Sequence, residues 1–283
     1  MKKQLIVAGA GLIVVVLLFT FGRTTSNKKT TVAANKATET QKVFDIQQFI
    51  LAEKAKLSPT QAIFLSKLEN NITRGDVADQ TIKANIALAD FWKDSAKVYE
   101  PFVFYTSTAA KLDNSEKNLT FAAQLILSNL RNEQDEAKLN WETTEAIDLF
   151  ERAIKINPNN DTLRVGLGSC YIFGKGRNGD PQETMKGIQE LLGVVRKDST
   201  NYQAQLVLGI GGLVSGQFDK AIERLNKVVT AEPNNKEAIA FLADAYAGKG
   251  DKANAIKWYN VSKRLISDVH YTQEVDERIK SLK

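Results

Sequence analysis

The chain has 283 residues, 43% of them hydrophobic and 25% charged, with one Cys, one His and a formal net charge of +5. A single Cys excludes an intrachain disulfide and a thiolate zinc cluster, and a single His excludes multi-histidine metal sites. Residues 1–42 hold seven Lys or Arg and one acid, whereas the remainder holds 31 bases and 32 acids. Because the body of the chain is near neutral, nucleic acid is not expected as a partner.

An uncharged apolar stretch, LIVAGAGLIVVVLLFTF, covers residues 5–21 and follows a short tail, residues 1–4. As a helix it would extend about 25 Å, close to the minimum for crossing a bilayer. It could be an anchor or a cleaved signal peptide. We expect an uncleaved signal anchor, because no small-x-small cleavage site follows the stretch at a suitable distance and no Cys follows it for lipid attachment.

The orientation of this anchor is predicted from its flanks. Both flanks are basic, so the positive-inside rule favours neither side. A short tail before the span is the usual form of an anchor with a cytoplasmic amino terminus, which places the large carboxy-terminal part outside the cytoplasm. Residues 22–42 are rich in Thr, Ser, Asn, Ala and Lys without apolar periodicity, and are predicted to be a flexible tether.

Residues 43–84 have apolar residues at helical spacing, with a break near Leu57. Ser58 and Pro59 fit the N-cap and first position of a new helix. The segment is predicted to be either a helical amino-terminal element or a degenerate repeat.

A repeat of 34 residues dominates the rest of the chain. A small residue is followed four positions later by a large one in four places, and the last three places are spaced by 34 residues. These pairs are Ala146 and Phe150, Gly187 and Leu191, Ala221 and Leu225, and Ala255 and Tyr259. Small residues allow two helices to approach closely, and Pro158 and Pro233 end one helix and begin the next.

This pattern resembles the tetratricopeptide repeat, a helix-turn-helix unit of about 34 residues. The resemblance is strong over residues 142–262, weak over 86–141 and absent before them. Gly212 stands where the family has an aromatic residue, and Ser199 and Ser267 stand where it has Pro. The resemblance implies an all-α solenoid behind the transmembrane helix, with a repeat array at 85–267 and a carboxy-terminal capping helix at 268–283. Its hairpins are expected at 86–114, 117–157, 161–200, 202–234 and 236–267.

Three features have both a functional and a structural interpretation. Residues 174–180 contain a literal G-x-G-x-x-G, but the motif follows a helix in an all-α chain, so a structural turn is expected rather than a phosphate site. The turn resembles that of Sel1-like repeats. Cys170 is expected to be a small buried residue, and His270 a surface or capping residue.

The concave surface of tetratricopeptide folds is lined by the first helix of each hairpin, and the resemblance therefore implies a peptide-binding groove there. Its predicted residues are Val165, Ser169, Ile172, Phe173, Leu206, Ile210, Leu213, Val214, Ala240 and Asp244. The full stripe also includes Thr162, Gln203, Glu237, Ala247 and Gly248. It is apolar in its middle, acidic towards one end through Glu237 and Asp244, and without Lys, Arg or Asn. Gly211 and Gly212 would leave room for a bound element. Either residues 43–84 or an external amphipathic or unfolded segment is expected to fill the groove.

No convergent titratable cluster remains after the repeat positions are assigned, so no enzyme, cofactor or metal is expected. Similarity to bacterial membrane-anchored tetratricopeptide proteins implies a scaffold or adapter that binds a protein or peptide partner, as a single-pass protein of the inner membrane with a periplasmic carboxy-terminal domain. A self-assembly module at the membrane is the alternative, and an enzyme of unknown type a further one.

Overall fold

The computed structural model describes residues 43–73, 78–178 and 181–283, and the predicted tail, anchor and tether lie outside these ranges. The described ranges form thirteen α-helices. In chain order they are α1 Ile46–Lys54, α2 Pro59–Thr73, α3 Ala78–Asp90, α4 Tyr99–Asp113, α5 Glu116–Asn129, α6 Glu136–Ile156, α7 Asp161–Phe173, α8 Pro181–Lys197, α9 Tyr202–Val214, α10 Phe218–Ala231, α11 Lys236–Lys249, α12 Lys252–Leu265 and α13 Val269–Leu282. A π-helical turn, Phe91–Ala96, continues α3, and a 3-10 turn, Lys175–Asn178, follows α7. None of the helices in these ranges has the length and apolar character needed to cross a bilayer.

Ten helices form five consecutive hairpins, in which α3 packs with α4, α5 with α6, α7 with α8, α9 with α10 and α11 with α12. Four hairpins lie within a few residues of the spans expected from the repeat. The first begins at Ala78 instead of residue 86. The amino-terminal half of α3 is mostly polar, which explains why apolar periodicity did not detect it.

Asparagine side chains set the start of the first helix in the last three hairpins. Asn160, Asn201 and Asn235 each accept a hydrogen bond from a backbone N–H two or three residues later. Such caps satisfy donors that the first helical turn leaves without partners. The sequence thus defines these helix starts locally.

Small residues let the two helices of a hairpin cross closely. A Cβ on Gly168 of α7 would lie 3.0 Å from the carbonyl oxygen of Gly187 on α8. In the next hairpin, a Cβ on Gly212 of α9 would lie 3.2 Å from the Cβ of Ala221 on α10. Of these four residues, Gly187 and Ala221 are the small positions that the 34-residue period identified.

The segment before the first hairpin does not form a hairpin of its own. The predicted break is confirmed, since α2 begins at Pro59 and the Ser58 and Gln61 side chains each accept a hydrogen bond from the other's backbone N–H. However, α1 packs against α4 whereas α2 packs against α3. Phe44 also contacts Trp141 of α6, with 5.2 Å between ring centroids. Residues 43–73 therefore extend the amino-terminal end of the array and pack against α3, α4 and α6.

The first helices of neighbouring hairpins contact one another, α5 with α7, α7 with α9 and α9 with α11. At the carboxy-terminal end, α13 buries Val275 and Ile279 against Ala255 and Tyr259 of α12. We call the side of α3, α5, α7, α9 and α11 that faces away from the second helices the first-helix face.

Candidate functional site

Half of the predicted groove residues lie in the core and not on an open surface. Val165, Ser169, Ile172, Leu206 and Ile210 are between 1% and 6% exposed. They are buried because neighbouring first helices pack against each other through this stripe. The accessible part of the stripe is therefore smaller than the sequence indicated.

The space beside the two glycines that were expected to leave room for a bound element is occupied by side chains of this chain. A Cβ on Gly211 would lie 2.8 Å from Cδ1 of Ile172, which reaches across from α7. The space beside Gly212 holds Ala221. This expectation was wrong, because both glycines serve contacts between helices of the array.

The other predicted groove residues remain accessible. Val214, at the end of α9, is 49% exposed, and Phe173, Leu213, Ala240 and Asp244 are partly buried. Asp244 already has partners, since it accepts a hydrogen bond from the Tyr259 hydroxyl at 2.6 Å and pairs with Arg278 of α13 at 2.6 Å. Burial and the neighbouring Asp244 raise the pKa of Tyr259 to about 12.

An open apolar pocket lies between α3, α4 and α5, in a part of the array where the sequence resemblance is weak. Its volume is about 250 Å³. Ile82, Ile86, Phe102, Ala109, Ala110 and Phe121 form its apolar lining. Phe121 is 61% exposed and Ile86 is 46% exposed, which is high for side chains of this size. Asp90, Lys93 and Asn118 add polar groups to the lining.

Sequence reasoning missed this pocket because the groove was mapped on the last three hairpins only. Phe121 lies in the second turn of a capped amphipathic helix, and its apolar side chain on the side opposite Ala122 and Ala123 was the available signal. The depth of the pocket depends on a gap between α3 and α5, which no local pattern encodes.

Arg131 supplies a cation that the predicted stripe lacks. It lies in the loop between α5 and α6, and its guanidinium carbon is 3.8 Å from the centroid of the Phe173 ring on α7. The guanidinium also forms an ion pair with Glu237 at the start of α11. This contact joins the second hairpin to the fifth, 106 residues apart in sequence.

Arg177 holds the loop that carries Arg131 at a residue before Arg131 and at a residue after it. Arg177, in the 3-10 turn after α7, donates hydrogen bonds to the Leu130 carbonyl oxygen at 3.0 Å and to Gln134 at 3.4 Å. The turn itself packs closely, since a Cβ on Gly176 would lie 2.4 Å from the Thr184 hydroxyl. The glycine-rich segment thus serves as a structural turn that supports a neighbouring loop.

A buried acid lies beneath the same loop. Glu142 of α6 is fully buried, and its carboxylate accepts hydrogen bonds from the Asn129 amide at 3.1 and 3.2 Å. Burial raises the pKa of Glu142 to about 7, with smaller upward contributions from Glu133 and Glu100, while the Asn129 hydrogen bond opposes the shift. Burial also raises the pKa of the nearby Tyr99 hydroxyl.

The isolated Cys and His occupy the places expected of them. Cys170 is fully buried on α7, and burial raises the pKa of its thiol. Less of the reactive thiolate therefore forms. His270 is exposed in the first turn of α13, which Asp268 caps. In the part of the chain that the structure describes, no three His, Cys, Asp or Glu side chains come together as metal ligands.

The fold and the first-helix face define an all-α array of helical hairpins. Residues 213–264, which run from the end of α9 to the end of α12, match the family model described as tetratricopeptide repeat. This segment is therefore similar to tetratricopeptide repeats, and the same pairing of helices is present in the three preceding hairpins.

A segment of 62 residues, 22% of this chain, is 42% identical to cellulose synthase operon protein C of Escherichia coli (strain K12), and equally to the putative protein of that name in strain O157:H7. This segment spans only 5% of the length of those proteins.

Several solved structures are similar at low sequence identity. MamA from Desulfovibrio magneticus RS-1 is 19% identical, with a TM-score of 0.48 over 68% of this chain and 96% of that one. YrrB, a tetratricopeptide protein with an unusual peptide-binding site, is 16% identical, with a TM-score of 0.45 over 74% and 97%. The type IV pilus biogenesis factor PilW is 17% identical, with a TM-score of 0.46 over 71% and 93%.

Proposed function

We propose that this protein is a membrane-tethered interaction scaffold whose first-helix face binds an apolar helical or unfolded segment of a partner protein. The observation that carries the proposal is the open pocket between α3, α4 and α5, with Phe121 and Ile86 exposed at its mouth. Exposed apolar patches with polar rims are typical of interaction sites. Val214 at the end of α9 and Phe173 at the end of α7 provide further accessible apolar surface on first helices.

The tether is the part of the proposal that rests on sequence alone. Residues 5–21 would anchor the chain in a bacterial inner membrane, residues 22–42 would act as a flexible linker, and the array would lie in the periplasm. A partner would then be a protein of the cell envelope.

The proposal includes no catalysis. Glu142 has an ordinary structural explanation in its Asn129 hydrogen bonds, Cys170 is buried and His270 lies in the first turn of a capping helix. Catalysis needs convergent acid, base or nucleophile groups in an accessible site.

The experiment is site-specific photocrosslinking in intact membranes. A photoreactive phenylalanine analogue at Phe121 should give one discrete crosslinked product with a partner protein. The same analogue at Ile63 on α2, which is 60% exposed but outside the pocket, is the matched control. Equal product patterns at both positions, or no product at Phe121, would refute the assignment, and a product between two copies of this chain would support self-assembly instead.

A further inference from the structure

The ion pair between Arg131 and Glu237 links the second hairpin to the fifth. Both side chains are 37% exposed. Exposed ion pairs contribute little to the free energy of unfolding, because water and salt screen them. Another carboxylate could therefore replace Glu237 on Arg131 at a small cost in free energy.

Several contacts fix the position of the Arg131 side chain, whereas its ion pair with Glu237 is exposed to solvent. Arg177 fixes the loop through the Leu130 carbonyl oxygen, and Asn129 anchors its start on the buried Glu142. The guanidinium lies on the Phe173 ring, which favours a cation over its face. Stacking leaves the N–H edge of the guanidinium free to bind a carboxylate, and Glu237 occupies that edge through one nitrogen.

We propose that Glu237 is an internal stand-in for a carboxylate of the partner, so that the partner segment carries an Asp or Glu beside its apolar residues. This inference rests on the proposed function and names the chemistry of its partner. When the partner binds, its carboxylate replaces Glu237 on Arg131, and the link between the second and fifth hairpins opens.

The spacing of the two recognition elements follows from α5. Phe121 lies on this helix and Arg131 follows its end, so they are separated by about 15 Å along the helix axis. A helical partner segment lying along α5 would therefore carry its apolar anchor and its acid about ten residues apart.

The test uses the full-length protein in detergent and synthetic helical peptides rich in Ala and Leu. Each peptide carries a Phe and a Glu about ten residues apart, in either order, and each has a twin with Gln in place of Glu. Fluorescence anisotropy measures the affinity of the wild-type chain, Arg131→Gln, Glu237→Gln and the control Arg196→Gln. Arg196 is an exposed arginine on α8.

We expect the Glu peptide to bind more tightly than its Gln twin. Glu237→Gln should tighten the Glu peptide about twofold to fivefold, the range that an exposed ion pair can hold, and leave the Gln twin unchanged. Arg131→Gln should reduce binding of the Glu peptide to the level of its twin, and Arg196→Gln should change neither.

Equal binding of both peptides by all four proteins would overturn the inference. A discrete crosslink from Phe121 in that case would leave the proposed function standing. A large fall in melting temperature in both Arg131→Gln and Glu237→Gln would also overturn it, because the pair would then be a structural brace.

Discussion

Replacing Glu142 by Gln should change how the stability of the protein depends on pH. Glu142 is fully buried, and burial raises its pKa from an ordinary value of 4.5 to about 7. Below pH 4.5 the carboxyl is protonated in both the folded and the unfolded chain, so the shift has no effect on stability. As the pH rises towards 7, the unfolded chain releases the proton first, and stability falls.

The size of this effect follows from the shift. A difference of one pKa unit corresponds to 1.36 kcal/mol, so Glu142 should destabilise the folded chain by about 3 kcal/mol above pH 7. Gln cannot ionise, and its side-chain oxygen can still accept a hydrogen bond from Asn129. Relative to wild type, Glu142→Gln should therefore gain about 3 kcal/mol of stability between about pH 4.5 and about pH 8.

The measurement is urea unfolding of the full chain in detergent, followed by far-ultraviolet circular dichroism across this pH range. Glu151→Gln is the matched control, since Glu151 lies on the same helix but is exposed. Its unfolding curves should keep the pH dependence of wild type. Parallel pH profiles for wild type and Glu142→Gln would refute this reasoning. They would show that the buried carboxylate does not cause the fall in stability as the pH rises.

Three further predictions test the array and its orientation. Ala221→Leu should lower the free energy of unfolding by about 1 to 3 kcal/mol by overpacking the crossing with α9, whereas Ala231→Leu at the exposed end of α10 should not; equal melting temperatures would contradict this packing. Ile210→Asp should destabilise the fold by about 3 kcal/mol or more because the residue is buried, while Val214→Asp should leave melting unchanged and weaken partner crosslinks. Protease added to spheroplasts should degrade residues 43–283 and spare cytoplasmic proteins, and full protection would reverse the proposed orientation.

Local signals in the sequence were sufficient for the helices and their pairing. The 34-residue spacing of Gly187, Ala221 and Ala255 located the helix crossings, and Ser58 with Pro59 located the start of α2. These features depend on contacts within one repeat, or on a side chain that caps its own helix. Such contacts recur with the period and can be recognised without the tertiary structure.

The accessible surface depended on contacts between repeats. Whether Ile210 faced solvent or the neighbouring α7 was set by how closely the first helices pack, and the gap that forms the pocket at Phe121 is a property of the packed array. The pairing of Arg131 with Glu237 joins residues 106 positions apart. Small rotations between successive hairpins accumulate along a repeat array and decide such encounters, so the sequence alone predicted the helices and the tertiary structure decided which of their side chains remain available to a partner.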